Sequence, residues 1–87
     1  MNKHDLLHRS APHYSETQQL ELAHAIDFAT NAHDGQKRRS GEQYIIHPLA
    51  VASTLVEWGM DIDTVIAGIL HDTVEDTDAT LDEIEEL

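Results

Sequence analysis

The stretch from Ile62 to Val74 limits the possible fold more than any other part of the chain. Apolar residues stand at Ile62, Val65, Ile66, Ile69, Leu70 and Val74, a spacing of three and four that an α-helix gathers onto one face. A face that wide predicts a central, largely buried helix, capped by Asp61 or Asp63. Yet the same stretch runs straight into His71-Asp72 and then Glu75-Asp76. Ionisable groups beside so apolar a run need partners, because burying them without any is costly.

The spacing of those groups suggests what the partner is. Each helical residue turns the side-chain direction by about 100°, so four residues complete slightly more than one turn. Glu75 therefore lies above His71, and Asp76 above Asp72. Three carboxylates and an imidazole on one stripe repel one another unless a cation sits among them, and His71-Asp72 offers it two adjacent ligands. A third ligand has to come from another element. His47 is the best candidate, since Pro48 holds it at a helix start behind Ile45 and Ile46. Ligation by His71 and Asp72 leaves Glu75 and Asp76 for general acid–base work on an attacking water. The blander alternatives are a histidine satisfied within a bundle, a solvated acidic face, and a His47 that caps its own helix.

The remaining pattern is also helical. Ser15 and Gln18 fit a capping box, and Leu22, Ile26, Ala29 and His33 follow one face as far as a stop at Gly35. His33 ends that helix on its apolar side, as a core or capping histidine, and His24 faces solvent. Gly35 to Tyr44 reads as a loop. The next helix starts at His47-Pro48, where a missing N–H costs nothing, buries Leu49, Ala52, Leu55 and Val56, and ends at Gly59. Thr80 and Glu83 form another capping box before Leu81, Ile84 and Leu87. Strand signals are confined to Tyr44-Ile45-Ile46, so the fold is expected to be all-α. Residues 1–14 carry His4, His8, His13 and Pro12 with little periodicity, which predicts a flexible or loosely docked leader whose histidines bind metal only adventitiously.

Composition narrows the function classes. An 87-residue chain buries only about 60% of its unfolded surface, so its core is marginal. There is no cysteine, which removes disulfides and thiolate metal sites. No apolar run near the N-terminus is long enough for a signal peptide or membrane span, so a soluble cytoplasmic protein is expected. The net charge is −12, from seventeen acidic and five basic residues, which argues against nucleic acid or an anionic membrane as partner. Three of the five basic residues are nevertheless consecutive, Lys37-Arg38-Arg39. A small anionic ligand, met locally by Arg38, Arg39 and Ser40, fits both facts. Arginine offers planar bidentate donors to phosphate and can stack on a base. Tyr44 adds a ring and a hydroxyl to the same ligand, or packs into the core.

The segment Arg38-Arg39-Ser40-Gly41-Glu42-Gln43-Tyr44-Ile45-Ile46-His47-Pro48, followed by His71-Asp72-Thr73-Val74-Glu75-Asp76-Thr77, resembles the hydrolase domain of RelA/SpoT homologues, part of the HD phosphohydrolase superfamily. The likeness runs from about Leu20 to the end. It implies an HD-domain-like helical bundle that hydrolyses the guanine nucleotide alarmones guanosine 3′,5′-bis(diphosphate) and its pentaphosphate form, releasing pyrophosphate from the 3′ position. It implies one Mn²⁺ per site, held at His47, His71 and Asp72. Glu75 and Asp76 would serve the attacking water. Arg38, Arg39 and Ser40 would line the guanine pocket, with Tyr44 near the nucleotide.

Gln43 departs from the family, which usually has Pro there. The family's fourth ligand is an Asp on a later helix, past Leu87. Residues 15–87 are thus expected to be the N-terminal portion of an HD domain, weak or inactive alone; in full-length members of the family a synthetase domain that makes alarmone often follows. Two other functions compete: an HD phosphohydrolase of another nucleotide, and a non-catalytic helical module for regulation or assembly. The wide apolar face of residues 62–74 is expected to make the chain a homo-oligomer.

Overall fold

The computed structural model describes residues 2–34 and 43–76, with the backbone alone for Asp76. Four helices carry them: α1 (Lys3–Ser10), α2 (Glu16–Ala32), α3 (Ile46–Glu57) and α4 (Ile62–Asp76). No strand is found among the described residues, and the all-α expectation is met. α1 and α4 each pack against both α2 and α3. The core between them is built from Leu6, Leu22, Ile26, Leu49, Ala52, Val56, Ile62, Val65 and Ile69, with smaller contributions from Ala29 and Ile45.

The helix ends follow local chemistry. α2 opens on the expected capping box: the Ser15 hydroxyl accepts from the Gln18 N–H, and the Gln18 side chain accepts from the Ser15 N–H. α3 starts one residue before His47, with Pro48 buried in its first turn. It ends in a Schellman turn. The Gly59 N–H donates to the Val56 carbonyl and the Met60 N–H to that of Leu55, with Gly59 at φ 75°, where a side chain would be strained. Asp61 precedes α4 and accepts from the Thr64 hydroxyl at 2.5 Å. That bond, with backbone N–H groups at Asp63 and Thr64, holds its carboxyl below the ordinary carboxylate value despite some desolvation.

Two expectations need correction. Residues 1–14 are not a loose leader, because 3–10 form α1 with Leu6 and Ser10 fully buried. The low apolar content of the segment misleads. One leucine enters the core, and polar contacts distant in sequence do the rest. The Arg9 guanidinium donates to the Ser53 hydroxyl at 2.8 Å and the Glu57 carboxylate at 2.6 Å. The Gln19 amide donates to the Leu7 carbonyl and accepts from the Ser10 hydroxyl.

The second correction concerns α4, which is not buried across its whole apolar width. Ile62, Val65, Ile69 and Thr73 face the core, whereas Ile66, Leu70 and Val74 are only half-buried. With Ala67 they line an open groove of about 630 Å³.

Candidate functional site

The inward stripe of α4 decides where its ionisable groups point. Thr73 is fully buried, its hydroxyl donating to the Ile69 carbonyl at 3.0 Å. Taking Thr73 as the inward direction, His71 and Glu75 lie about 160° away on either side, and Asp72 about 100° away. The structure follows that geometry. His71 and Glu75 have side chains 70% and 61% exposed, and Asp72 is half-buried.

One ligand atom from each of His71, Asp72 and Glu75 lies within 4.8 Å of the others. The His71 Nε2 is 3.5 Å from a Glu75 carboxylate oxygen, one helical turn further on. Such a set fits a divalent ion. It joins an imidazole nitrogen to two carboxylate oxygens, donors that suit first-row divalent metals. It also opens to solvent, which leaves coordination positions for water or substrate. The chain has no cysteine, so no thiolate belongs to this set.

His47 stands exposed in the first turn of α3 and is not a member of that close group. Glu75, one turn above His71 on the shared stripe that the spacing predicts, lies within that group. Its i,i+4 relation to His71 was legible in the sequence as a shared stripe, but spacing does not say which carboxylate turns toward the imidazole. Arg38, Arg39, Ser40 and the Asp76 side chain lie outside the described residues.

Tyr44 is half-buried in the turn before α3. Its ring stacks on that of His33 at a centroid distance of 5.0 Å and 15° between planes. It meets His47 edge-on at 6.5 Å and 73°. His33, the C-cap of α2, is 2% exposed, and its Nε2 is 3.4 Å from the Thr73 hydroxyl. His33 is thus a core and capping histidine, as its position on the apolar side of α2 suggests. Nothing in the sequence signalled its placement against Tyr44 and Thr73. The groove along Ile66, Leu70 and Val74 reaches His71 and Glu75 at one end, so the candidate group sits beside apolar surface. No helix among the described residues is long and apolar enough to cross a membrane.

A family model described as the HD domain matches residues 25–87, and the chain belongs to that family. Within it, similarity to the RelA/SpoT type is high. Over 80 residues the chain is 51% identical to a guanosine-3′,5′-bis(diphosphate) 3′-pyrophosphohydrolase of Aquifex aeolicus (strain VF5), covering 92% of this chain and 11% of that protein. A protein of the same name from Spiroplasma citri is 49% identical over 67 residues, or 77% of this chain and 9% of the relative. A GTP pyrophosphokinase of Streptomyces coelicolor (strain ATCC BAA-471 / A3(2) / M145) is 51% identical over 70 residues, or 80% and 8%. The chain thus spans roughly a tenth of the length of these relatives. The family resemblance carried by the segments around His47 and His71-Asp72 is borne out.

Proposed function

We propose that residues 15–87 are the N-terminal portion of the HD domain of a metal-dependent hydrolase that releases pyrophosphate from the 3′ position of guanosine 3′,5′-bis(diphosphate). The observation that carries this reading is the convergence of His71, Asp72 and Glu75 on one small volume, in a chain about half identical to enzymes named for that reaction.

His71 and Asp72 hold the ion, joined by His47 from the start of α3; Mn²⁺ is the ion we assign. When bound, it supplies Lewis-acid charge for phosphoryl chemistry. Glu75 and Asp76 accept and return the proton of the attacking water. Arg38 and Arg39 offer bidentate donors to the nucleotide's phosphates and a flat surface to its base, with Ser40 and Tyr44 completing the pocket. Glu75 has a second use in this arrangement, since a carboxylate 3.5 Å from the His71 Nε2 also orients that imidazole.

The protein works in the cytoplasm. Copies of the chain associate through the open face of α4. Covering the partly exposed Ile66, Leu70 and Val74 contributes roughly 2–3 kcal/mol at about 25 cal/mol per Å² of apolar surface, enough to favour association.

Calorimetric titration with Mn²⁺ tests the site. The expected result is one site per chain, lost in His71→Ala and in Asp72→Ala. Binding unchanged in both variants would overturn the assignment. Turnover is read in a polypeptide of the relatives' length carrying this segment. There His71→Ala should abolish pyrophosphate release, and Arg38→Ala with Arg39→Ala should raise KM for the guanine alarmone. Unchanged KM would favour another nucleotide as substrate. Sedimentation at tens of micromolar reads association, and a monomer would exclude it.

A further inference from the structure

His33 is almost completely buried, carries an ionisable ring, and has no part in the chemistry described above. It occupies the point where the ends of three helices meet. It closes α2 as its C-cap. Its ring lies flat on Tyr44, 5.0 Å between centroids and 15° between planes. Its Nε2 reaches the Thr73 hydroxyl on α4 at 3.4 Å. Both contacts lead to the ligand set. Tyr44 presents the ring edge-on to His47 at 6.5 Å, and Thr73 follows His71 and Asp72 directly in sequence.

We propose that His33 is a positioning residue for the metal site, clamping Tyr44 on one side and Thr73 on the other so that His47 and the His71-Asp72 pair keep a fixed mutual placement. The proposal rests on the assignment of His47, His71 and Asp72 as ligands, and it deepens that assignment.

The reason is one of degrees of freedom. His47 is on α3 and His71-Asp72 on α4, so the separation of the two ligand sources depends on how α3 and α4 are set. Apolar packing of Leu49 and Val56 against Val65 and Ile69 is non-directional and tolerates small sliding. A stacked ring and a hydrogen bond are directional and resist it. His33 provides both from one side chain.

Two variants separate the clamp from mere packing. His33→Leu keeps apolar volume but removes the stack and the polar contact. Thr73→Val is nearly isosteric, removes only the hydroxyl, and protects the test should the first variant fold poorly. Each is read three ways: thermal unfolding, Mn²⁺ affinity by calorimetry well below the unfolding midpoint, and the metal-free NMR shifts of the His47 and His71 ring protons.

A positioning role predicts that both variants weaken Mn²⁺ binding about tenfold, within the range for outer-shell changes. It also predicts that His33→Leu moves the His47 resonances and that Thr73→Val moves those of His71. A lower midpoint with unchanged affinity and unchanged His47 and His71 shifts would overturn it, leaving His33 as core filling alone. Should the parent chain bind no Mn²⁺, the ion needs the family's fourth ligand as well, and the affinity arm is read in a polypeptide of the relatives' length. The clamp is then still decided by the metal-free shifts, which support it if they move and refute it if they do not.

Discussion

α1 and the outer face of α4 make an instructive pair, because each behaves opposite to its composition. α1 is a polar segment with two leucines and two histidines, yet it is docked through Leu6, which has no exposed surface. The outer face of α4 carries Ile66, Leu70 and Val74, yet it borders an open groove. Hydropathy states what a segment gains by burial, and packing decides whether a partner is present. α1 finds partners in Ser53, Glu57, Gln19 and Asp27. On the outer face of α4, Ile66 packs partly against the core, and Ile66, Leu70 and Val74 are covered only in part.

The sharpest way to break that contrast lies within α4 itself. Ile69 and Leu70 are adjacent and similar in size, but Ile69 is fully buried and Leu70 is not. Ile69→Ala should cost about 2–5 kcal/mol by denaturant unfolding, through lost transfer energy and the cavity left behind. Leu70→Ala should cost less than about 1 kcal/mol at concentrations where the chain is monomeric. Equal costs would mean that the outer face is covered, and the reading of an open groove would fall.

Leu6→Ala tests the other half. The cost should be about 2 kcal/mol, lower than for Ile69→Ala, because a terminal helix can undock and thereby limit its own penalty. Hydrogen exchange across residues 3–10 should rise, while α2 and α3 stay protected. A chain indifferent to Leu6→Ala would restore the loose leader that composition suggested.

These cases show what was legible in the sequence and what was not. Capping chemistry is local, so the start of α2 at Ser15 and the turn at Gly59 could be read directly. The His71, Asp72 and Glu75 stripe was legible for the same reason, since helical spacing alone brings the three together. Contacts across long sequence separations were not. Arg9 meets Glu57, His33 meets Thr73, and Tyr44 meets His33 through packing that no local pattern encodes. The two-stripe division of α4 was also hidden, because periodicity showed one broad face and could not say how much of it another helix would cover.

A smaller effect is expected at the junction of the two regions. Ser15→Ala should destabilise by about 1 kcal/mol, the usual cost of an N-cap hydroxyl. The loss should appear in thermal unfolding without any change in Mn²⁺ affinity, since the capping box is at the far end of α2 from His33. A change in affinity would show that α2 transmits strain along its whole length, which the compact contacts at its C-terminal end do not require.

The smallest effect sits where the end of the α1–α2 connection touches the α3–α4 turn. The Tyr14 hydroxyl donates to the Met60 carbonyl at 2.6 Å. Burial pushes its pKa above the ordinary 10.0, and the negative charge of Asp61 pushes it further the same way. A folded-state value above the unfolded one means that ionisation opposes folding. The stabilising part is fully present below about pH 10 and is lost as the pH rises through the higher folded value. Tyr14→Phe should therefore cost about 0.5 kcal/mol near neutrality, the low end for a partly exposed hydrogen bond. It should also flatten the fall of the unfolding midpoint on the alkaline side. Asp61→Asn should leave the onset at about pH 10, which the unfolded chain sets, but make the fall smaller and end it at lower pH, because the repelling charge is gone while burial still acts. If the alkaline profiles of the parent and Tyr14→Phe coincide, ionisation of the hydroxyl is not coupled to folding at this junction.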